Sequence, residues 1–251
     1  MGKSEAPCPP KPSTVPGGTA PTNAPVPNCP DPCTTKVFTP KEVNESVSET
    51  ISNAPDPYTA WNGTYSWKSK FRVEPSRNSC GVKVVMKLKV SGTATDDQKA
   101  AWKSACESKW SGKVKLVCPD PACAEACPGG YPVTIEIQWV TSGEHYTITA
   151  NSATADEGGR AGLGGTTSMT GWGVDDTTDV THEFGHMLGC PEEYFTTDGT
   201  DYTAGGTKAG FRDADGGIMN NPSNDPTTKN YDAIKKAAAA AMGLTCTVQA
   251  A

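Results

Sequence analysis

Residues 175–193 read DDTTDVTHEFGHMLGCPEE, and this stretch decides how the rest of the chain is read. Asp175, Asp176 and Asp179 precede an apolar, helically spaced run that a glycine closes at Gly189, a pattern that predicts a helix over 175–190. Residues four apart on a helix lie one above the other, so His182 and His186 project from one face with nitrogens able to share one ion. Glu183 stands beside the first histidine, where its carboxylate can serve as general base to a water without being a ligand.

Outward from this helix, the chain divides by composition. It has 251 residues, with 26 Gly and 21 Pro, so much of it belongs to loops. Residues 1–35 form a Pro-rich leader with almost no apolar side chain larger than valine, and are expected to be flexible. Residues 36–79 are a transitional N-terminal segment, with a strand expected in WNGTYSWKSKFRV from Trp61. Residues 80–251 are the expected catalytic domain.

Within that domain, 81–90 alternates Val82, Val84, Met86, Leu88 and Val90 against mostly lysine, a half-buried strand. Residues 95–112 read as a helix capped by Thr95, with Ala101, Trp102, Ala105, Cys106, Lys109 and Trp110 at helical spacing on its inner face. Strands are expected at 113–118, 133–140 and 145–150, and a last helix at 230–244, broken at Gly243. The Gly-rich run 158–173 lacks the spacing of a phosphate-binding loop and reads as a loop beside a cleft.

A net charge of -6 argues against a nucleic-acid partner, because binding phosphate needs clustered cations. No apolar run reaches the length of a membrane span. Ten cysteines, not arranged as paired CxxC tetrads, predict disulfides and an oxidising, secreted or extracellular location. The leader has no apolar core of a signal peptide, so either a signal has been removed or export is non-classical or injection-type, with the leader as a docking segment for the export apparatus.

Two histidines need a third ligand. The only other histidine is His145, and the helix continues Gly189-Cys190-Pro191-Glu192-Glu193. This resembles the extended metzincin motif HExxHxxGxxH, with Gly189 at the turning glycine and Glu192 in place of the last histidine. Gly216-Gly217-Ile218-Met219-Asn220 further resembles the metzincin Met-turn. The resemblance implies an α+β, zincin-like catalytic domain with a twisted mixed sheet, an active-site helix and a C-terminal helix. It implies Zn2+ held by His182, His186 and Glu192, with Glu183 as catalytic base. Glu193, Asp201 (in a partial echo of the aspzincin pattern) and His145 remain alternative third ligands. A thermolysin-like ligand is excluded, since no glutamate follows Glu193.

The implied activity is that of a zinc endopeptidase whose partner is a protein or peptide substrate lying along an edge strand, with 145–150 the candidate edge. Tyr194, Tyr202 and Tyr231 are candidates to hydrogen-bond an oxyanion. A zinc amidase acting on a cell-wall cross-link stays open, as does a zinc-stabilised adhesive or structural module; retention of Glu183 speaks against the latter. Because metzincins pack the last helix near the zinc helix, a Cys190–Cys246 disulfide is expected, along with a cross-linked loop between Cys118 and Cys127.

Overall fold

The computed structural model describes residues 36–51, 62–151, 168–193 and 217–251. They form an α+β fold in which one curled mixed sheet of eight strands carries a small set of helices. The strands are β1 (Lys41–Ile51), β2 (Gly63–Ser76), β3 (Gly81–Ser91), β4 (Val114–Val117), β5 (Tyr131–Trp139), β6 (Tyr146–Asn151), β7 (Gly171–Gly173) and β8 (Thr247–Ala250). The helices are α1 (Asp96–Trp110), α2 (Pro121–Ala126), α3 (Thr178–Met187) and α4 (Asp232–Met242), with a 3-10 turn at Thr228–Tyr231 leading into α4.

The principal path across the sheet is β1-β2-β3-β5-β4-β8. β2 runs antiparallel to both β1 and β3, whereas β3 and β5 are parallel. β3 is shared unevenly. Its first half, Arg72↔Val85 to Ser76↔Gly81, pairs with β2; its last residues, Leu88↔Tyr146 to Ser91↔Thr149, pair with β6. The Leu88 carbonyl accepts from Val140 N–H after β5, and the Lys87 carbonyl accepts from His145 N–H ahead of β6. Successive carbonyls of a strand point to opposite sides, so β6 lies on the side of β3 that β2 vacates. The Tyr146 hydroxyl spans the split, donating to Lys68 O at 2.6 Å and accepting from Lys70 N–H at 2.7 Å.

α1 begins as expected. Thr95 Oγ1 accepts from Gln98 N–H while the Gln98 side chain accepts from Thr95 N–H, a closed capping box. Trp102, Cys106 and Trp110 are fully buried on one face. Trp110 packs edgewise on Tyr231 and tilts against Phe184 of α3, and its indole N–H donates to Thr181 O at 2.9 Å. α1 thereby becomes the platform on which α3 rests.

Several elements depart from the sequence reading. β1 was not expected: its residues are mostly polar and exposed, and an outer strand lives on backbone pairing rather than on a buried face. β1 and β2 enter the same sheet as β3, and Val43, Phe71 and Val73 join its core. α2 occupies what reads as a Pro-punctuated loop, with Asp120 as its cap and Pro121 in its first turn. β8 follows α4 and pairs with β4. β6, the candidate edge for substrate, is covered at its end, where β7 pairs with Thr149–Asn151.

The disulfide expectation is corrected. Cys118 bonds Cys246 and Cys80 bonds Cys127, and Cys123 is also disulfide-bonded. Cys190 is a buried free thiol, whereas the Cys118–Cys127 loop is cross-linked as expected, through Cys246 and Cys80. The reason is β8: pairing of Val117 with Thr247 carries Cys246 beside Cys118, away from α3. These bridges fit an oxidising compartment. Among the described residues, no helix is long and apolar enough to cross a membrane.

Candidate metal centre

α3 starts where Asp176 Oδ1 accepts from the N–H groups of Thr178 and Asp179, at 3.0 and 2.9 Å. This acceptor satisfies two of the unpaired donors of the first turn. The other end is held from outside the helix. Trp67 Nε1 of β2 donates to His186 O at 2.8 Å, and the Met187 carbonyl accepts from Ser69 Oγ at 2.9 Å and lies 3.2 Å from the Tyr146 hydroxyl, whose hydrogen it shares with Lys68 O. Trp67 also sets its ring edgewise to the His186 imidazole, with centroids 5.6 Å apart. The sequence gives no sign of these three residues; only the splitting of β2 from β3 brings them to the helix end.

Gly189 then reverses the chain at φ +95°, a conformation that side chains with a Cβ adopt at a cost. A Cβ there would also stand 3.1 Å from Ser69 Oγ and 3.3 Å from the Ala233 Cβ. The turn returns Glu192 to the histidines. His182, His186 and Glu192 are the one group of three metal-ligating side chains among the described residues, with ligand atoms all within 4.8 Å of one another.

Backbone carbonyls orient both rings. His182 Nδ1 lies 2.8 Å from Ile218 O, and His186 Nδ1 lies 2.8 Å from Cys190 O. A carbonyl can only accept, so each Nδ1 donates behind the ring, which leaves Nε2 as the atom that faces Glu192. His182 Nε2 stands 3.4 Å from Glu192 Oε1, and His186 Nε2 stands 3.4 Å from Glu192 Oε2. Two ligands bonded at about 2.0–2.1 Å to one tetrahedral ion stand roughly 3.3–3.4 Å apart, and each imidazole stands at about that distance from one oxygen of Glu192. Carbonyl-anchored imidazoles are the usual outer support of a metal site.

The electrostatics agree with a mutually stabilised set. Burial alone would raise the Glu192 pKa, but His182 and His186 outweigh it and hold the carboxyl far below its ordinary range. Burial pulls the His186 pKa down, yet Glu192 lifts it to about 9, and His182 is raised in the same way. Glu183, next to this set but outside it, has its pKa raised by burial against the pull of both histidines.

The remaining candidates separate cleanly. His145 lies on the sheet, its Nδ1 accepting from Lys87 N–H at 3.0 Å and its Nε2 3.1 Å from Glu42 Oε2. Glu193 turns away from the histidines, and its Oε1 accepts from Asn230 Nδ2 at 3.2 Å. Tyr231 is fully buried and spends its hydroxyl on Trp110 O at 2.6 Å, so it is a core residue rather than an oxyanion donor. Asp201, Tyr194, Tyr202 and Gly216 lie outside the described residues, as does most of the Gly-rich run.

Beneath α3, the turn at 217–220 closes through Asn220 N–H to Gly217 O at 3.0 Å and buries Met219 completely. A Cβ on Gly185 would run into the Met219 sulfur and approach Trp110 Cζ2 to 3.0 Å, so this helix position has room only for glycine. Comparison with known proteins adds no relative: no family model, no curated protein and no solved structure matches the chain.

Proposed function

We propose that the protein is a zinc-dependent peptidase of metzincin type, with His182, His186 and Glu192 as zinc ligands and Glu183 as catalytic base. One observation carries this reading: two Nε2 atoms, each steered by a carbonyl behind it, meet a single carboxylate at 3.4 Å. Two imidazoles and one carboxylate are a donor set suited to zinc that leaves a coordination position open. Zinc bound there supplies a water of lowered pKa and a polarised carbonyl.

Glu183 does the proton work. Held beside the ligands and outside their set, it takes the proton of the attacking water and returns it to the departing amine. A purely structural site has no use for such a base. The order of elements supports the metzincin assignment, with strands and α1 ahead of the histidine helix, and the Met219 turn and α4 after it. The disulfides support action outside the reducing cytosol.

The test is Glu183→Gln. It should keep its zinc by elemental analysis while hydrolysis of an unfolded protein falls by about 10²- to 10⁴-fold, the range for loss of a general base. Full activity in this variant overturns the assignment.

A further inference from the structure

The second glutamate of the Glu192-Glu193 pair has a place that ligation does not explain. Glu193 is 4% exposed and Asn230, from the 3-10 turn ahead of α4, is 5% exposed. Their side chains meet at 3.2 Å, with Asn230 Nδ2 donating to Glu193 Oε1. A buried carboxylate is costly to keep unless it is well hydrogen-bonded, so its retention here calls for a purpose.

Asn230 is itself held from two sides. Its Oδ1 accepts from Thr227 N–H at 2.8 Å, which closes the capping box of the 3-10 turn. Its carbonyl accepts from the Cys190 thiol at 3.1 Å. Glu193 also reaches the other side of the centre, its N–H donating to Met219 O at 3.2 Å. The neighbouring Ile218 O receives His182 Nδ1, and Cys190 O receives His186 Nδ1. The four residues Cys190 to Glu193 are thus fixed at both ends, by Cys190 on Asn230 and by Glu193 on Asn230 and Met219. Glu192 lies inside this bracket.

We infer that Glu193 and Asn230 are positioning residues for the metal centre, a buried clamp that holds the carboxylate ligand Glu192 at the two histidines. The clamp rests on the reading of His182, His186 and Glu192 as zinc ligands. Its function is preorganisation: Glu192 comes from a loop, and a loop ligand left free to wander loses affinity through the entropy of being recaptured.

The test is zinc affinity, measured by competition with a chromophoric chelator, together with the thermal midpoint of the zinc-free protein. Glu193→Ala and Asn230→Ala should each weaken zinc by about 10- to 100-fold, as loss of outer support does at other metal sites. The double alanine variant should be no weaker than the singles, because both remove the same bond. Glu193→Gln keeps the acceptor for Asn230 and should bind zinc as the wild type does.

Asn230→Asp covers the case in which the alanine variants do not fold. It keeps an acceptor for Thr227 but faces Glu193 with a second carboxylate, and should lose zinc affinity. Adding Glu193→Gln to Asn230→Asp restores a donor with the polarity reversed and should recover the affinity, which a merely structural role does not require. Wild-type zinc affinity in Asn230→Asp, or in both alanine variants, overturns the clamp. Failure of the wild-type protein to bind zinc instead overturns the reading of the ligands.

Discussion

The proposed metal centre draws its candidate ligands from two regions built in different ways. His182 and His186 sit on α3, where a spacing of four residues makes them neighbours wherever the helix lies. Glu192 sits in a loop, and its neighbours are chosen by Gly189, the turn at Met219 and the 3-10 turn at Thr228–Tyr231. The helix side is fixed by local geometry and the loop side by contacts between segments far apart in sequence. A damaged helix side should therefore abolish binding outright, whereas the loop side should yield by degrees as its supports are removed.

The largest effect expected is at the ligands. His182→Ala or His186→Ala should leave the purified protein almost free of zinc by elemental analysis, and Glu192→Ala should bind it weakly. If Glu192→Ala kept full zinc at chelator concentrations that strip His186→Ala, the loop would not supply the third ligand and the comparison would fail.

Next comes the Cys118–Cys246 bridge, which spans 128 residues of sequence and ties β4 to β8. On the chain-entropy estimate, removing it with Cys118→Ser and Cys246→Ser together costs about 5 kcal/mol of stability, readable by urea unfolding. The bridge joins β4 to β8 and is not part of the ligand loop, so zinc affinity of the folded variant should stay unchanged. A parallel loss of zinc affinity would show that the loop side leans on β8 as well.

Gly185→Ala probes the meeting of the two regions, because the added methyl enters the space of Met219 and Trp110. Overpacking of this kind costs roughly 1–3 kcal/mol, and zinc should bind more weakly as the Met219 turn is pushed from the helix. Unchanged stability by thermal unfolding would contradict the tight contact. The smallest effect is expected of Trp67→Phe, which removes one donor from His186 O and keeps most of the ring. About 1 kcal/mol of stability should go, with zinc affinity little altered, since the helix holds both histidines by itself.

How much of this was legible beforehand follows the same division. The Thr95 cap, Trp102, Cys106 and Trp110 on the inner face of α1, the alternation of β3 and the middle of α3 are local patterns with periods of 3.6 or 2 that appear where expected, although Ala101 is exposed and α3 runs Thr178–Met187 rather than 175–190. The turn at Gly189 was readable because only glycine takes its φ easily. β1 and β8 were not, being short of apolar residues and held by pairing with distant strands. Cysteine pairing failed for a related reason: proximity of Cys190 to Cys246 was inferred from helix packing, whereas strand register sets Cys246 against Cys118.

By itself the sequence determined which atoms can meet on α3, because helical spacing is a property of the backbone and needs no partner. The motif spacing also put Glu192 at the position of the third ligand, with Glu193 as an alternative. What became of Glu193 was left to the tertiary structure, which turns Glu192 to the histidines and bonds Glu193 to Asn230. A loop has no fixed period, so the direction of each side chain is settled only by the groups that distant segments bring to meet it.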